Sequence, residues 1–521
     1  MGKVNYVMSI MLIYVVNTLQ FELMSSELES ENTTVNVAEL TALANTGHNG
    51  SWHQLYSMRD MLSTASVATL LFVADTPLIA RDIEKAQHLA SRTLHQLQTS
   101  SEDAHASYLL GSYYLYGLAV EKRIGEAVKH FQYASQLGHV MATVQLGLCY
   151  RFGEGVPLSP KEALKLFSSA ARQGYAVAQF YQAASLSSEG GEGAAGRWDE
   201  AVPLLLQAAE QGLASAQYHV GLCHLHGRGV VQNASEAVRY FRQAADQGLG
   251  EALHALGETY ETGRGVSVDM STALRYYRSG AERDEAASYT RLGLCHYWGN
   301  CGEDIAQDLK EAVRLFQRAA ERGDSLGQYR LGVCFERGEG VAQDMERAAH
   351  YYFLSASQGH LDAISNLGLC YANGLGVSRN LTRAAELYGQ AAERGHAVAQ
   401  TNLGLSYFLG LGLREDMAQA VKYFTSAAAQ GYAEAQFLLG LCHKNGQGVP
   451  KDPFQAVSLY QVAAQQGHGG AQTHLGLCYA IGEGVDKDVE ESKKFLTMAA
   501  RNGHAKAPRL LKELFNMTDT D

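Results

Sequence analysis

One glycine recurs along this chain at an almost constant interval, and no other feature restricts the fold so tightly. It follows a large apolar residue in segments such as VQLGLCY, TRLGLCH, SNLGLCY, TNLGLSY and THLGLCY. Its positions are Gly111, Gly147, Gly221, Gly257, Gly293, Gly332, Gly368, Gly404, Gly440 and Gly476, in steps of 36, 74, 36, 36, 39, 36, 36, 36 and 36 residues. The 74-residue step resolves into 36 to Ala183 and 38 beyond it, with extra residues in SSEGGEGAAG. The 39-residue step carries a three-residue insertion around WGNCGED. Eleven units therefore cover about residues 101–506. A unit of this length cannot bury its apolar face alone, so consecutive units must stack.

Each unit reads as two helices. In the first, Ala399, Leu403 and Tyr407 stand four apart on one helical stripe. It stops at Gly-x-Gly-Val, as in Gly374 to Val377, where glycine accepts a left-handed turn. Twelve residues past the reference glycine stands a capping residue: Ser159, Asn233, Asp269, Asp344, Asn380, Asp416, Asp452 or Asp488. Glu162, Glu236 and Glu491 follow three later, completing partial capping boxes. The second helix presents Ala420, Phe424 and the pair Ala427-Ala428 before ending near Gly431. Small residues at fixed places allow close helix approach, and the aromatics fill the gaps. The expected fold is an all-α, right-handed α-solenoid of about eleven 36-residue helix-turn-helix repeats, with an inner and an outer helical layer.

The recurring pattern A-x-x-x-L-G-x-x-Y-x-x-G-x-G-V … D-x-x-x-A-x-x-x-Y/F-x-x-A-A-x-x-G resembles the Sel-one-like repeat family, relatives of tetratricopeptide repeats. The match spans roughly four-fifths of the chain. It departs from the pattern in the third unit, in the 39-residue unit, and at Asp284, which stands where a closing glycine is expected.

Around the array, residues 1–25 carry Lys3 and then a mostly apolar run from Val4 to Val16, the layout of a signal peptide or signal-anchor; an ordinary apolar helix is the alternative. Residues 26–60 are polar and expected to be poorly ordered, 61–100 are expected to form N-terminal capping helices, and 507–521 a C-terminal cap and tail. SVATLLFVADTPL is too short for a bilayer span and contains Asp75 and Pro77, so it is expected in a core.

Composition removes several function classes. Lys plus Arg number 42 against 54 Asp plus Glu, a net charge of −12, and no basic stripe offers a nucleic-acid surface. No run of 18 apolar residues exists, which excludes a polytopic membrane protein and leaves membrane contact to the N-terminal segment. Seven of the eight cysteines stand two residues after a repeat glycine, one per unit along an axis. That spacing suits buried free thiols and neither converging metal ligands nor bridges between units. Cys301 alone is off-pattern and expected to be exposed. The Gly-x-Gly-Val turns follow helices, whereas a phosphate-binding loop opens one. His224, His296 and His443 replace the tyrosine of other units, while His360, His396, His468 and His504 follow the closing glycine. With no nucleophile triad or paired carboxylates left over, the expectation is a non-catalytic chain without cofactor or metal.

What remains is binding. The positions three before and four after the reference glycine lie outside the consensus and are often aromatic or charged. Tyr218, His254, Tyr329 and Phe437 belong to the first set, and Arg151, Tyr297, Glu336 and Phe408 to the second. Being seven apart they share one helical face, expected to line a groove for a peptide or partner helix. The alternative is that several pack on the neighbouring unit. Five Asn-x-Ser/Thr sequons occur, at Asn32, Asn49, Asn233, Asn380 and Asn516; at Asn233 and Asn380 helix capping is an equal explanation.

The resemblance implies an adaptor. Its branch with a secretory signal, many repeats and sequons implies an endoplasmic reticulum protein of ER-associated degradation, presenting misfolded glycoproteins to a membrane ubiquitin ligase. The alternative is a cytoplasmic signalling scaffold regulating a kinase or synthase. A hydrolase like the cysteine-rich secreted relatives finds no site here.

Overall fold

The computed structural model describes Gln98 and residues 103–117, 120–188, 196–299, 301–302 and 305–515. The N-terminal segment, the expected capping helices at 61–100, and Asn32, Asn49 and Asn516 lie outside the described residues. Among the described residues there are helices and turns and no strand, and helices α1 to α22 form eleven consecutive pairs. The chain divides into two compact units between Glu285 and Ala286.

The first unit holds five pairs. These are α1 (Ala104–Tyr116) with α2 (Ile124–Gln136), α3 (Val140–Phe152) with α4 (Pro160–Ala171), and α5 (Ala176–Ser188) with α6 (Trp198–Glu210). α7 (Ala214–His226) with α8 (Ala234–Asp246) and α9 (Gly250–Thr262) with α10 (Met270–Glu282) complete it. The second unit holds six pairs: α11 (Ala286–Trp298) with α12 (Leu309–Glu321), α13 (Ser325–Arg337) with α14 (Met345–Ser357), and α15 (Leu361–Asn373) with α16 (Leu381–Glu393). α17 (Ala397–Leu409) with α18 (Met417–Ala429), α19 (Ala433–Asn445) with α20 (Pro453–Gln465), and α21 (Gly469–Ile481) with α22 (Val489–Arg501) follow, and α23 (Ala507–Phe515) packs on α22. Within each unit every helix packs on its chain neighbours, the solenoid-like stacking that the repeat demands.

The local chemistry works as the sequence anticipates. Asp416 is the N-cap of α18, its carboxylate accepting the Gln419 N–H at 3.0 Å; Asn233, Asp269, Asp344, Asn380, Asp452 and Asp488 do likewise. The first helix stops at a left-handed glycine, as at Gly410 with φ 64°. The second glycine of the turn, Gly412, is also left-handed, and a Cβ there would lie 2.2 Å from the Leu381 carbonyl oxygen of the preceding pair. That turn therefore needs glycine for its backbone and for its neighbour. Asp284 takes a positive φ of 66°, so the departure in sequence leaves the turn intact.

The reference glycine is where two helices of one pair cross. A Cβ on Gly404 would stand 2.6 Å from Cε1 of the fully buried Phe424, and Gly221, Gly293 and Gly440 meet Phe241, Phe316 and Tyr460 in the same way. Aromatic rings from the second helix thus fill the space that the missing side chain vacates.

One expectation is corrected. Cys295 and Cys301 form a disulfide with Cα atoms 5.2 Å apart, and Cys301 is buried. The second cysteine, six residues on in the sequence, thus reaches the first within one pair, not across two. Cys149, Cys223, Cys334, Cys370, Cys442 and Cys478 are free and buried as expected.

Candidate partner-binding face

The eight residues expected to line a groove are placed largely at seams. At the position three before the reference glycine, side chains meet the residue that opens the next pair. Tyr329 stacks on His360 with ring centres 4.8 Å apart, and Phe437 lies 4.9 Å from His468. Both also pack on a tyrosine of their own second helix, Tyr352 and Tyr460. Tyr218 packs on Phe241 at 5.7 Å, and burial pushes its hydroxyl up to about 12. His254 packs on Tyr277 at 5.5 Å. Thr290 and Thr473 make the same seam with hydrogen bonds, to Asp324 at 2.6 Å and His504 at 2.8 Å.

At the position four after the glycine, side chains turn toward the following pair or their own second helix. Tyr297 is buried and donates its hydroxyl to Glu339 in the next Gly-x-Gly turn; burial, then Glu339, raises its pKa to about 12. Arg151 reaches Ser185 at 3.3 Å in the next pair. Glu336 accepts the Tyr352 hydroxyl, and Phe408 packs on Phe424. Lys444 at this position forms an ion pair with Glu483 of the next turn at 3.4 Å.

The histidines that follow closing glycines have a definite employment. His360, His396 and His468 are N-caps whose Nδ1 accepts the N–H three residues on, at 3.3, 3.2 and 3.0 Å. Nε2 of His396 faces Asp362 at 3.1 Å, and Nε2 of His468 faces Glu434 at 2.7 Å, both carboxylates in the preceding pair. Capping through Nδ1 leaves the ring hydrogen on Nε2, so His396 and His468 donate backward to the previous pair. His224, standing for tyrosine, stacks on Tyr240 as Tyr407 stacks on Tyr423.

A polar ladder escaped the sequence reading. Gln217, Gln328, Gln400, Gln436 and Gln472 lie four before the reference glycine and are buried. Gln400 donates from Nε2 to the Ala392 carbonyl at 3.2 Å and accepts at Oε1 from Gln430 at 2.8 Å. It thereby joins the second helix of one pair to both helices of the next. The signal was the recurrent Ala-Gln before the apolar-Gly step, which apolar periodicity does not weigh.

With positions −3 and +4 at the seams, the outward stripe of the first helices falls at −2, +1 and +5. Leu369 is 40% exposed, Leu409 and Trp298 each 56%, and Ile481 63%. Among the described residues no group of three or more His, Cys, Asp or Glu could hold a metal ion, and no helix is long and apolar enough to cross a membrane.

Hairpins of nearly equal length, closed by glycine turns and joined by capping and glutamine bonds, define the chain as an α-helical repeat protein of the solenoid class. The Sel1 repeat matches ten segments: residues 104–139, 140–175, 214–249, 250–285, 286–324, 325–360, 361–396, 397–432, 433–468 and 470–504. The chain belongs to the Sel1 repeat family. The unmatched stretch between the second and third segments is the third unit, which α5 and α6 build as a pair all the same. Among solved structures it is similar to c5321, a protective antigen of uropathogenic Escherichia coli strains displaying an SLR fold. The two are 32% identical over 82% of this chain and 91% of that one, with a TM-score of 0.54. It is also similar to a Sel1 repeat protein from Oxalobacter formigenes, 29% identical over 60% of this chain and 89% of that one, with a TM-score of 0.42. Comparison with curated proteins gives no match.

Proposed function

We propose that this chain is a non-catalytic scaffold that holds protein partners along the outward stripe of its first helices. The observation that carries the reading is the division of labour within each pair. Caps, glutamine ladder and aromatic seams consume the polar and aromatic residues of the repeat, while apolar residues at +1 and +5 stay accessible. Apolar side chains left in the open at repeated places are what a partner surface requires.

The finer reading, an adaptor in ER-associated degradation that brings misfolded glycoproteins to a membrane ubiquitin ligase, rests on the family resemblance, the apolar N-terminal run and the sequons. Asn233 and Asn380 are exposed, and their caps use Oδ1, whereas an N-glycan attaches through Nδ2. Capping and glycosylation are therefore compatible there. Two measurements test the levels separately. Cross-linking affinity capture should return a stoichiometric protein partner; a chain that stays alone in cells defeats the scaffold. Endoglycosidase should shift the mobility of the chain; an unglycosylated protein that fractionates with cytosol refutes the ER reading and favours the cytoplasmic signalling scaffold.

A further inference from the structure

The stripe of the second unit has a chemical character of its own. At +1 its six first helices carry Leu294, Val333, Leu369, Leu405, Leu441 and Leu477; Val333 is buried, Leu369 is exposed and the other four are half-buried. The flanking positions −2 and +5 add Arg330 and Arg337, the asparagines Asn366 and Asn402, and the exposed Trp298 and Leu409. Across −2, +1 and +5 of these six helices there is no Asp or Glu, in a chain whose net charge is −12. Of the carboxylates beside the stripe, Glu336 and Glu339 accept the Tyr352 and Tyr297 hydroxyls, and Asp362 and Glu434 are each engaged by a histidine of the next pair. Arg330 lies over the Tyr329 ring at 5.6 Å, and its buried Nε has no hydrogen-bond partner. Arg337 is 60% exposed and only loosely paired, 3.9 Å from Glu339.

We propose that the first-helix face of the second unit docks an acidic, leucine-rich segment of a partner protein. The proposal rests on the scaffold reading and names the chemistry of what the scaffold holds. A row of apolar side chains gains by covering, which fixes the partner's leucines. Cationic groups on a stripe whose neighbouring carboxylates are already engaged draw anionic groups and repel basic ones, which fixes the partner's charge. Asn402 supplies a donor and an acceptor for a bound backbone, while Asn366 is engaged by the Tyr352 hydroxyl.

The test is selection of a random displayed-peptide library on the full chain, followed by fluorescence anisotropy of the selected peptides against variants. Selected peptides should be enriched in Leu, Ile or Phe together with Asp or Glu. Leu369→Asp should weaken their binding about tenfold or more, a loss of about 1.4 kcal/mol. Arg330→Glu should reverse the charge preference toward basic peptides, and Phe454→Asp, on the 74%-exposed start of α20, should leave binding unchanged. Unaltered helical circular dichroism certifies each variant, and the solvent-exposed Arg337→Glu serves if Leu369→Asp loses its fold. Peptides that bind but ignore Leu369 and both arginines overturn this face while leaving the scaffold standing. A library that yields no binder overturns the scaffold as well.

Discussion

Replacing Gly404 by alanine sets two magnitudes against each other. In an exposed helix the change would stabilise by about 1 kcal/mol through helix propensity. Here the new Cβ would stand 2.6 Å from Cε1 and 2.7 Å from Cδ1 of Phe424, a ring that is 1% exposed. Carbon atoms rest about 3.5–4.0 Å apart, so ring or helix must yield by close to an ångström. Overpacking of that kind costs roughly 1–3 kcal/mol. The balance is a net loss of up to about 2 kcal/mol once the propensity gain of about 1 kcal/mol is subtracted. The chain itself contains the relieved arrangement: in the third pair Ala183 replaces the glycine and Leu205 replaces the ring, both buried. Phe424→Leu alone should cost on the order of 1–2 kcal/mol for the void it leaves. The double variant should be more stable than the sum of the singles predicts, with a coupling of about 1–2 kcal/mol, well above the ~0.5 kcal/mol scatter of independent sites. Because a long repeat array does not unfold as a single two-state system, the quantity to measure is native-state hydrogen exchange in α17 and α18, alongside urea titration. Additive effects, or a Gly404→Ala variant more stable than the parent by the full propensity gain, would refute the claim that the ring requires the glycine.

Other outcomes follow from the same structure. Asp416→Ala should lower the local stability of α18 by about 1 kcal/mol, while Asp416→Asn should be nearly neutral because Asn233 and Asn380 already perform that capping; exchange of the α18 amides reads both. Gln400→Leu removes the acceptor for Gln430 and the donor for the Ala392 carbonyl, and should cost about 1–3 kcal/mol at the α16–α17 seam, seen as faster exchange there. Burial holds His139 and His474 down to about 4, with His105 adding to the effect at His139 and Lys444 at His474. The unfolded chain takes up these protons near pH 6.5 and the folded chain only near 4, so stability is full above about 6.5 and falls as pH drops toward 4. His474→Gln should flatten that slope in urea midpoints taken between pH 6.5 and 4.5; an unchanged slope refutes the assignment. Burial also raises the free thiols, to about 12 for Cys149 and Cys334 and about 11 for Cys223, Cys370 and Cys442. Alkylation of the native protein should therefore leave them unmodified, and denaturation without reductant should expose six thiols while Cys295 and Cys301 stay linked.

Local chemistry was legible because it is local. Glycine at a left-handed turn, Asp or Asn before a helix, and alanine beside an aromatic act within a few residues of themselves, so their recurrence at one interval settled helix pairs, boundaries and stacking. The insertion in the 39-residue unit was equally visible, but its consequence was not. That the loop returns Cys301 to Cys295 depends on where the chain goes after α11, and spacing along an axis says nothing of it. The role of positions −3 and +4 was open for a related reason. They share one side of their own helix, and the sequence alone left both a groove and packing on the neighbouring unit as readings of that side. Which side of a helix is free is decided by the next pair: Tyr329 meets His360, Tyr297 meets Glu339, and Lys444 meets Glu483. Periodicity within a unit thus determined what each helix is. The packing of one pair against the next decided which of its residues remain accessible.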